Sequence, residues 1–337
     1  MMWGIFDGGD SDWDTTVIGL HPRSPFHTSS WAHFRAVDGW EPLRLIATDK
    51  SCAIQFLVRK VRGVVVIGWA PGGPLGSLTP PLCGELLRCI QGRFPRQFIY
   101  LRVSDFQPKT SHHSDLYLGA RWVKSQSTLA ASSSLLRRLT ADEAGLRSGY
   151  SSNWSRNLHR GKQRSVTSVE WQNPSFTEMA NIHQEVVDLK QSFQGDWQAN
   201  PDRLERLFLC FGDSIELVRA IDDQQRTLAY RAAVRVGTLG YDILAATSRE
   251  GRKCYASHVA THGLLTLLAT SGCTEYDFGG VDPITNRGVY NFKHGAGGRD
   301  FYYTGEFQTS WPTFIAQPIA RMIRRSSSHR QNSLDKP

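Results

Sequence analysis

Residues 276–298 read YDFGGVDPITNRGVYNFKHGAGG, and they crowd aromatic, acidic, basic and six glycine residues into one stretch. Lys293 follows Phe292 and meets no acidic residue until Asp300. An ammonium with no carboxylate beside it in a glycine-rich loop has the right charge to stabilise an oxyanion as it forms. Gly279 and Gly280 free the backbone behind a short strand. Gly295, Gly297 and Gly298 would allow close approach to a ligand or positive φ, and equally could only make turns. Asp277 and Asp282 are the carboxylates available to orient a nucleophile, with capping or solvated roles as the plainer alternative. Tyr255, Tyr276 and Tyr290 offer hydroxyls; a buried ring with a satisfied hydroxyl is the commoner outcome, and Tyr290 is the preferred exception.

A second concentration of chemistry is NWSRNLHRGKQR (153–164), which carries four basic residues and no acid, half of the formal net charge of +8 in twelve residues. Arg156 and Arg160 stand one helical turn apart and are followed by Lys162 and Arg164, a spacing suited to a row of phosphates. A solvated helix face is the bland reading. His258 and His262 fall at i, i+4, yet the Glu of H-E-x-x-H is missing and no third ligand suggests itself, so no metal site is expected. The six cysteines form no C-x-x-C pair. They read as reduced core residues of a cytoplasmic protein.

Elements must position these groups. A chain of 337 residues with 40% hydrophobic and 21% charged residues has length for roughly two domains and the composition of a folded protein. Apolar runs such as GVVVIGWA (63–70) stop short of the roughly 18 residues needed to span a bilayer, and the acidic N-terminus has no apolar signal region. Two blocks flank a Ser/Arg-rich stretch at 132–160, and no sequence repeat relates them. In the first, 53–60 and 64–67 read as strands paired around Arg62-Gly63, 97–103 as another, and 83–90 as an amphipathic helix after a Pro/Gly loop. In the second, helices are expected around 175–191 and 201–211, strands at 214–221, 227–236 and 239–247, and one helix over 252–269 with Ser248 as a cap candidate. Leu228, Tyr230, Ala232 and Val234 alternate with Arg231 and Arg235, which predicts a half-buried antiparallel strand. The tail from Ser326 is polar and reads as disordered.

YDFGG, GVYNFK and the glycines after them resemble the C-terminal signature of the FemABX family, aminoacyl-tRNA-dependent transferases that extend peptidoglycan stem peptides. SSWAHFRAVDGW (29–40) resembles that family's Ser-x-x-Trp helix leading to a Gly-Trp, WAPGGPLG (69–76) its Pro-Arg-Gly-Pro loop, and NWSRNLHRGKQR the basic helix opening its second half. The four pieces fall in the family's order over about residues 25–310. The resemblance implies an α+β fold of two tandem GNAT-like (acyl-CoA N-acyltransferase-like) domains with mixed sheets flanked by helices. The first, acceptor-side domain is expected at 1–150, the second at 151–325 and a disordered tail at 326–337, with donor and acceptor meeting at or beside the domain interface. The family's Phe-Lys pair, placed by the transferred acyl group, falls on Phe292 and Lys293. Its lysine that helps hold acceptor phosphates falls on Arg35. Gly72 departs from the family's Arg and Ala296 from a common aromatic, and the helical-hairpin insertion of some members is missing.

The combined expectation is an aminoacyltransferase joining an amino acid from aminoacyl-tRNA to an amine acceptor, such as a UDP- or lipid-linked peptidoglycan precursor. Lys293, Phe292 and Asp277 are its catalytic candidates. Arg35, Arg156, Arg160, Tyr290 and Tyr255 are the candidates for substrate binding. No cofactor beyond the aminoacyl-tRNA co-substrate is expected, and the protein is expected to be a monomer, cytoplasmic or at the inner membrane surface. Two alternatives stay open. An acyl-CoA-dependent N-acyltransferase would use the same fold, although SREGRKCY (248–255) does not match the Arg/Gln-x-x-Gly-x-Gly/Ala pyrophosphate loop. A non-catalytic protein could dock RNA or an anionic surface on the basic helix.

Overall fold

The computed structural model describes residues 2–189 and 200–322, in two compact units. One unit runs to Ser132 and resumes at Tyr302; the other is Ser133–Phe301.

In the first unit β1 (Trp3–Ile5) pairs with β2 (Glu41–Ala47), β2 with β3 (Cys52–Val61) and β3 with β4 (Val65–Pro71), all antiparallel. A two-residue β5 (Leu75–Gly76) leans on β3, and β6 (Phe98–Pro108) lies parallel to β4. A parallel neighbour requires a crossover. Helix α3 (Pro80–Arg93) provides it, with α1 (Asp10–Gly19) and α2 (Ser29–Ala36) before it and α4 (Ser111–Gly119) after. Two prolines open α3 where a missing N–H costs nothing, and Leu82, Cys83, Leu86 and Ile90 form its buried stripe. That stripe packs with Ile54, Phe56, Ile99 and Leu101 in one core. A short β7 (Val123–Lys124) ends this part of the chain.

The second unit contains β8 (Ser133–Arg138), α5 (Glu143–Ser148), α6 (Ser152–Gln163), β9 (Thr167–Glu170), α7 (Phe176–Leu189) and α8 (Pro201–Phe211). The antiparallel run β10 (Ile215–Ile221), β11 (Thr227–Val236), β12 (Leu239–Thr247) follows. Then come α9 (Arg249–Lys253), α10 (Ala256–Thr270), β13 (Glu275–Asp277) and α11 (Arg287–Gly295); β14 (Arg299–Trp311) follows, and from Tyr302 on it belongs to the first unit. Strand β13 is parallel to β12 across α10. The units therefore repeat one plan without a sequence repeat: β1-β2-β3-β4-β6-β14 in the first and β9-β10-β11-β12-β13-β8 in the second. Each is an antiparallel run, one parallel strand reached by a helical crossover, and an antiparallel closing strand.

Several expectations change. The units divide at Ser132/Ser133 and not at 150/151, because β8 closes the second sheet against β13 and Leu135, Leu146 and Tyr150 belong to the second core. The first unit regains chain at Tyr302 because β14 closes its sheet against β6. Strand β11 is buried on both faces. Tyr230 donates to the Met179 carbonyl of α7, while Arg231, on the opposite face, donates to Thr261 of α10. The helix expected over 252–269 is two helices, since Tyr255 takes φ +62° between α9 and α10. The region expected as a loop at 276–298 contains α11. The end of the helix expected at 175–191 and the tail from Ser326 lie outside the described residues.

Candidate active site

Lys293 stands on α11 and is 8% exposed. Its ammonium donates to three backbone carbonyls, those of Phe278 at 2.6 Å, Gly280 at 3.2 Å and Gly279 at 3.4 Å. Those carbonyls belong to the turn leaving β13. Gly279 takes φ +70° there, where a residue with a Cβ would be strained. Asp277 is buried and positions the same turn: its Oδ1 accepts from the Gly279 amide at 2.8 Å and from the Ser134 hydroxyl, which also donates to the Gly279 carbonyl at 2.9 Å. Asp277 thus supports the carbonyls that hold Lys293. Asp282 is an exposed turn cap, accepting from the Ile284 and Thr285 amides and the Thr285 hydroxyl, and these bonds hold its carboxyl below the usual range.

Phe292, half-buried, meets His258 edge to face at 5.0 Å and Trp154 at 6.1 Å between ring centroids. The guanidinium of Arg231 lies 5.8 Å from its ring and 5.9 Å from Phe278. Arg231 is held by Asp242 through a fork of 3.0 and 2.7 Å bonds, and Tyr276 donates to the same carboxylate at 2.7 Å. Burial works against the charge on Arg231, but Asp242 holds it above its ordinary value. Burial pushes His258 down to about 4, leaving a neutral imidazole against Phe292 near pH 7. The i, i+4 spacing from His262 suggests this histidine only as a metal ligand, and among the described residues no group of three or more His, Cys, Asp or Glu could hold a metal ion.

The basic helix α6 converges on Tyr255. The guanidinium of Arg160 lies 5.9 Å and that of Arg164 5.4 Å from the Tyr255 ring, and Arg160 donates to its hydroxyl at 3.4 Å. Arg164 also donates to the Lys253 carbonyl of α9. Tyr255 meets His258 at 6.0 Å. A continuous series from Arg160 through Tyr255 and His258 to Phe292 therefore joins the basic helix to the Phe-Lys helix. Two candidates stand apart from it: Arg156 is tied to Asn153 at 2.6 Å, and the Tyr290 hydroxyl donates to Asp300 at 3.0 Å.

The first unit holds the remaining candidate. Arg35 is paired with Asp38 at 2.9 Å and lies 5.7 Å from the Trp31 ring. The expected loop at 69–76 explains its own departure: Gly72 takes φ +78° and a Cβ there would sit 2.2 Å from the Ser24 hydroxyl oxygen, so the family's Arg does not fit. Asp105 of this unit is a buried acid that no sequence motif marks. Burial pushes its carboxyl up to about 6, while the Tyr117 hydroxyl at 2.9 Å and the Gln107 amide at 2.8 Å donate to it. The available signal was a lone acid in the apolar strand FIYLRVSDF (98–106).

No family model and no curated protein matches the sequence. Solved structures do. A crystal structure of FemX superposes with a TM-score of 0.81 at 13% identity, over 95% of this chain and 99% of that one. A tandem GNAT protein from the clavulanic acid biosynthesis pathway gives 0.53 at 10% identity, over 91% and 98%. L-PGS from Bacillus licheniformis gives 0.52 at 13%, over 95% and 98%. Together with the repeated plan of the two sheets, these likenesses establish that the chain has a FemX-like fold of two tandem GNAT-like units.

Proposed function

We propose that the chain is an acyltransferase of the FemX kind, forming an amide between the amino acid of an aminoacyl-tRNA and an amine acceptor. The observation that supports this reading is the series of contacts Arg160, Tyr255, His258, Phe292, which links the basic helix to the helix carrying Lys293 within the second unit. The aminoacyl ester is already activated, so positioning and charge stabilisation supply most of what is needed. The amine lone pair attacks the ester carbonyl carbon and the π pair moves to oxygen; collapse of that oxyanion expels the ribose oxygen, which takes up the proton the amine nitrogen gives up, so that an amide and a free ribose hydroxyl result.

Lys293 favours the oxyanion by its charge. Its longer bonds, to Gly280 and Gly279, are the ones an incoming oxyanion would replace, leaving the 2.6 Å bond to Phe278 in place. Phe292 forms the apolar wall, Asp277 positions the turn, Arg160 contacts donor phosphates and Arg35 an acceptor phosphate. Arg156, Tyr255 and Tyr290 complete the substrate surface. A UDP- or lipid-linked peptidoglycan precursor is the acceptor class, and a monomer, cytoplasmic or at the inner membrane surface, is the setting.

An acyl-CoA donor is the second reading, favoured by the likeness to the tandem GNAT protein. Against it, residues 249–253 form α9 and not an open loop. The Gly251 amide is taken by the Ser248 hydroxyl at 3.0 Å and the Arg252 amide by the Ser248 carbonyl at 3.1 Å, so neither is offered to a pyrophosphate. The deciding experiment measures label transfer from a mixed aminoacyl-tRNA pool to amine acceptors, with and without ribonuclease, beside an acyl-CoA. Loss of transfer with ribonuclease supports the tRNA reading. Undiminished transfer from acyl-CoA replaces it, and no transfer from either donor leaves a binding protein.

A further inference from the structure

At the end of the first unit's sheet where β4 and β6 begin, opposite the Gly72 loop, four apolar side chains stand in solvent. Val64 is 52% exposed, Phe98 38%, Trp311 45% and Phe314 72%. They are neighbours: the Phe98 amide donates to the Val64 carbonyl at 2.9 Å, Phe98 and Phe314 are 6.5 Å apart edge to face, and Trp311 pairs with Ile99, the residue after Phe98. Exposed bases surround them. Lys60 and Arg62 flank the β3–β4 turn, Arg93 and Arg96 the turn entering β6, and the Phe94 ring lies within 5.7 Å of Lys60 and 5.8 Å of Arg93. No Asp or Glu occurs in residues 50–84, 86–104 or 307–334. Glu41, opposite Val58 on β2, is the acid that register places closest along the sheet.

We propose that this end of the first unit is a docking surface for an anionic phospholipid bilayer. Apolar side chains at turn tips are costly in water unless something covers them. Aromatic rings set among Lys and Arg match the boundary between lipid headgroups and acyl chains, where rings enter the apolar layer and cations meet phosphates. Four exposed apolar side chains at two turns and a strand end suit the apolar layer of a bilayer better than a nucleic acid backbone, which offers charge but no apolar layer to enter. Among the described residues no helix is long and apolar enough to cross a membrane. The inference does not depend on the proposed reaction.

The full chain is tested by co-sedimentation with vesicles of phosphatidylcholine alone and with 30% phosphatidylglycerol. Binding is expected only to the anionic vesicles, to weaken with salt and to fall at least tenfold in the Arg62→Glu/Arg96→Glu double variant, at about fivefold per charge removed. Phe314→Ser, at a solvated position that cannot cost the fold, is expected to weaken binding severalfold, whereas Arg156→Glu on the basic helix leaves it unchanged. Trp311 emission should shift to the blue on binding, a change that Trp311→Phe removes. Equal binding to neutral vesicles, no vesicle binding, or no effect of the patch variants overturns the proposal. So does an RNA affinity lost in the double variant with no vesicle affinity, or a dimer in sedimentation that Phe314→Ser dissociates.

Discussion

The ammonium of Lys293 lies 2.6 Å from the carbonyl oxygen of Phe278, so a charge fifteen residues away in sequence fixes the turn that follows β13. The same atom is the proposed oxyanion stabiliser, and the two roles separate in measurement. Lys293→Met keeps the apolar stem and removes the cation. It takes the ammonium donor from the carbonyl of buried Phe278, at about 1–3 kcal/mol of stability. The single-turnover rate should fall by about 10²-fold or more at temperatures where the variant remains folded. A rate loss no larger than the unfolded fraction would reduce Lys293 to a pin for the turn.

Arg231 and Asp242 are less than a tenth exposed, so removing either partner strands a charge. Arg231→Met is expected to cost about 3–5 kcal/mol in denaturant unfolding. Replacing both, with Asp242→Leu, should cost much less than the two single changes added together. Additive losses would show that the pair is not coupled.

Asp105 makes stability depend on pH. Its folded pKa is raised from 3.8 to about 6 by burial, so the folded state binds the proton more tightly than the unfolded chain does. The stabilising contribution is complete below about 4 and is lost as pH rises through 6, an effect of about 3 kcal/mol. Asp105→Asn should therefore gain stability relative to the parent between pH 4 and pH 8. Parallel melting-temperature profiles over that interval would place the carboxyl at its ordinary value.

Arg35→Ala should raise the KM for a phosphate-bearing acceptor far more than it lowers kcat, because a contact remote from the reacting carbonyl binds ground and transition states alike. Arg35→Lys should recover part of the loss. An unchanged KM would confine Arg35 to its pairing with Asp38.

Arg160→Glu should weaken tRNA binding and reduce the slope of log K against log salt, since fewer counterions are released. Filter binding across a salt series measures both, and an unaltered slope would remove Arg160 from the phosphate contacts.

The antiparallel strands were readable because alternation and the Arg62-Gly63 turn are local signals, and β3, β4 and β10 to β12 lie where the pattern places them. The basic helix and the Phe-Lys pair were readable as residue types in order. The setting of Lys293 was not: α11 packs on Trp154 and His258, whose positions depend on other elements. Tyr255 has no local mark of its left-handed backbone, and Arg231 alternates as a solvent-facing residue would until Asp242 of the next strand is brought beside it. The most distant relationships, β8 with β13 and β14 with β6, carry no periodicity at all.

The closing strand of the first unit has a consequence for the order of synthesis. Arg102 of β6 is buried, and the carboxylate that neutralises it belongs to Glu306 of β14, 204 residues later, whose other oxygen takes the amides of Leu129 and Ala130. At ribosomal rates of about 5–20 residues per second, the nascent first unit waits some 10–40 s for its last strand. During that interval the edge of β6 is open and a guanidinium destined for the interior has no counterion. A stalled chain ending near residue 301 should thus be recognised by chaperones as unfinished, and the second unit should reach protease resistance before the one that precedes it.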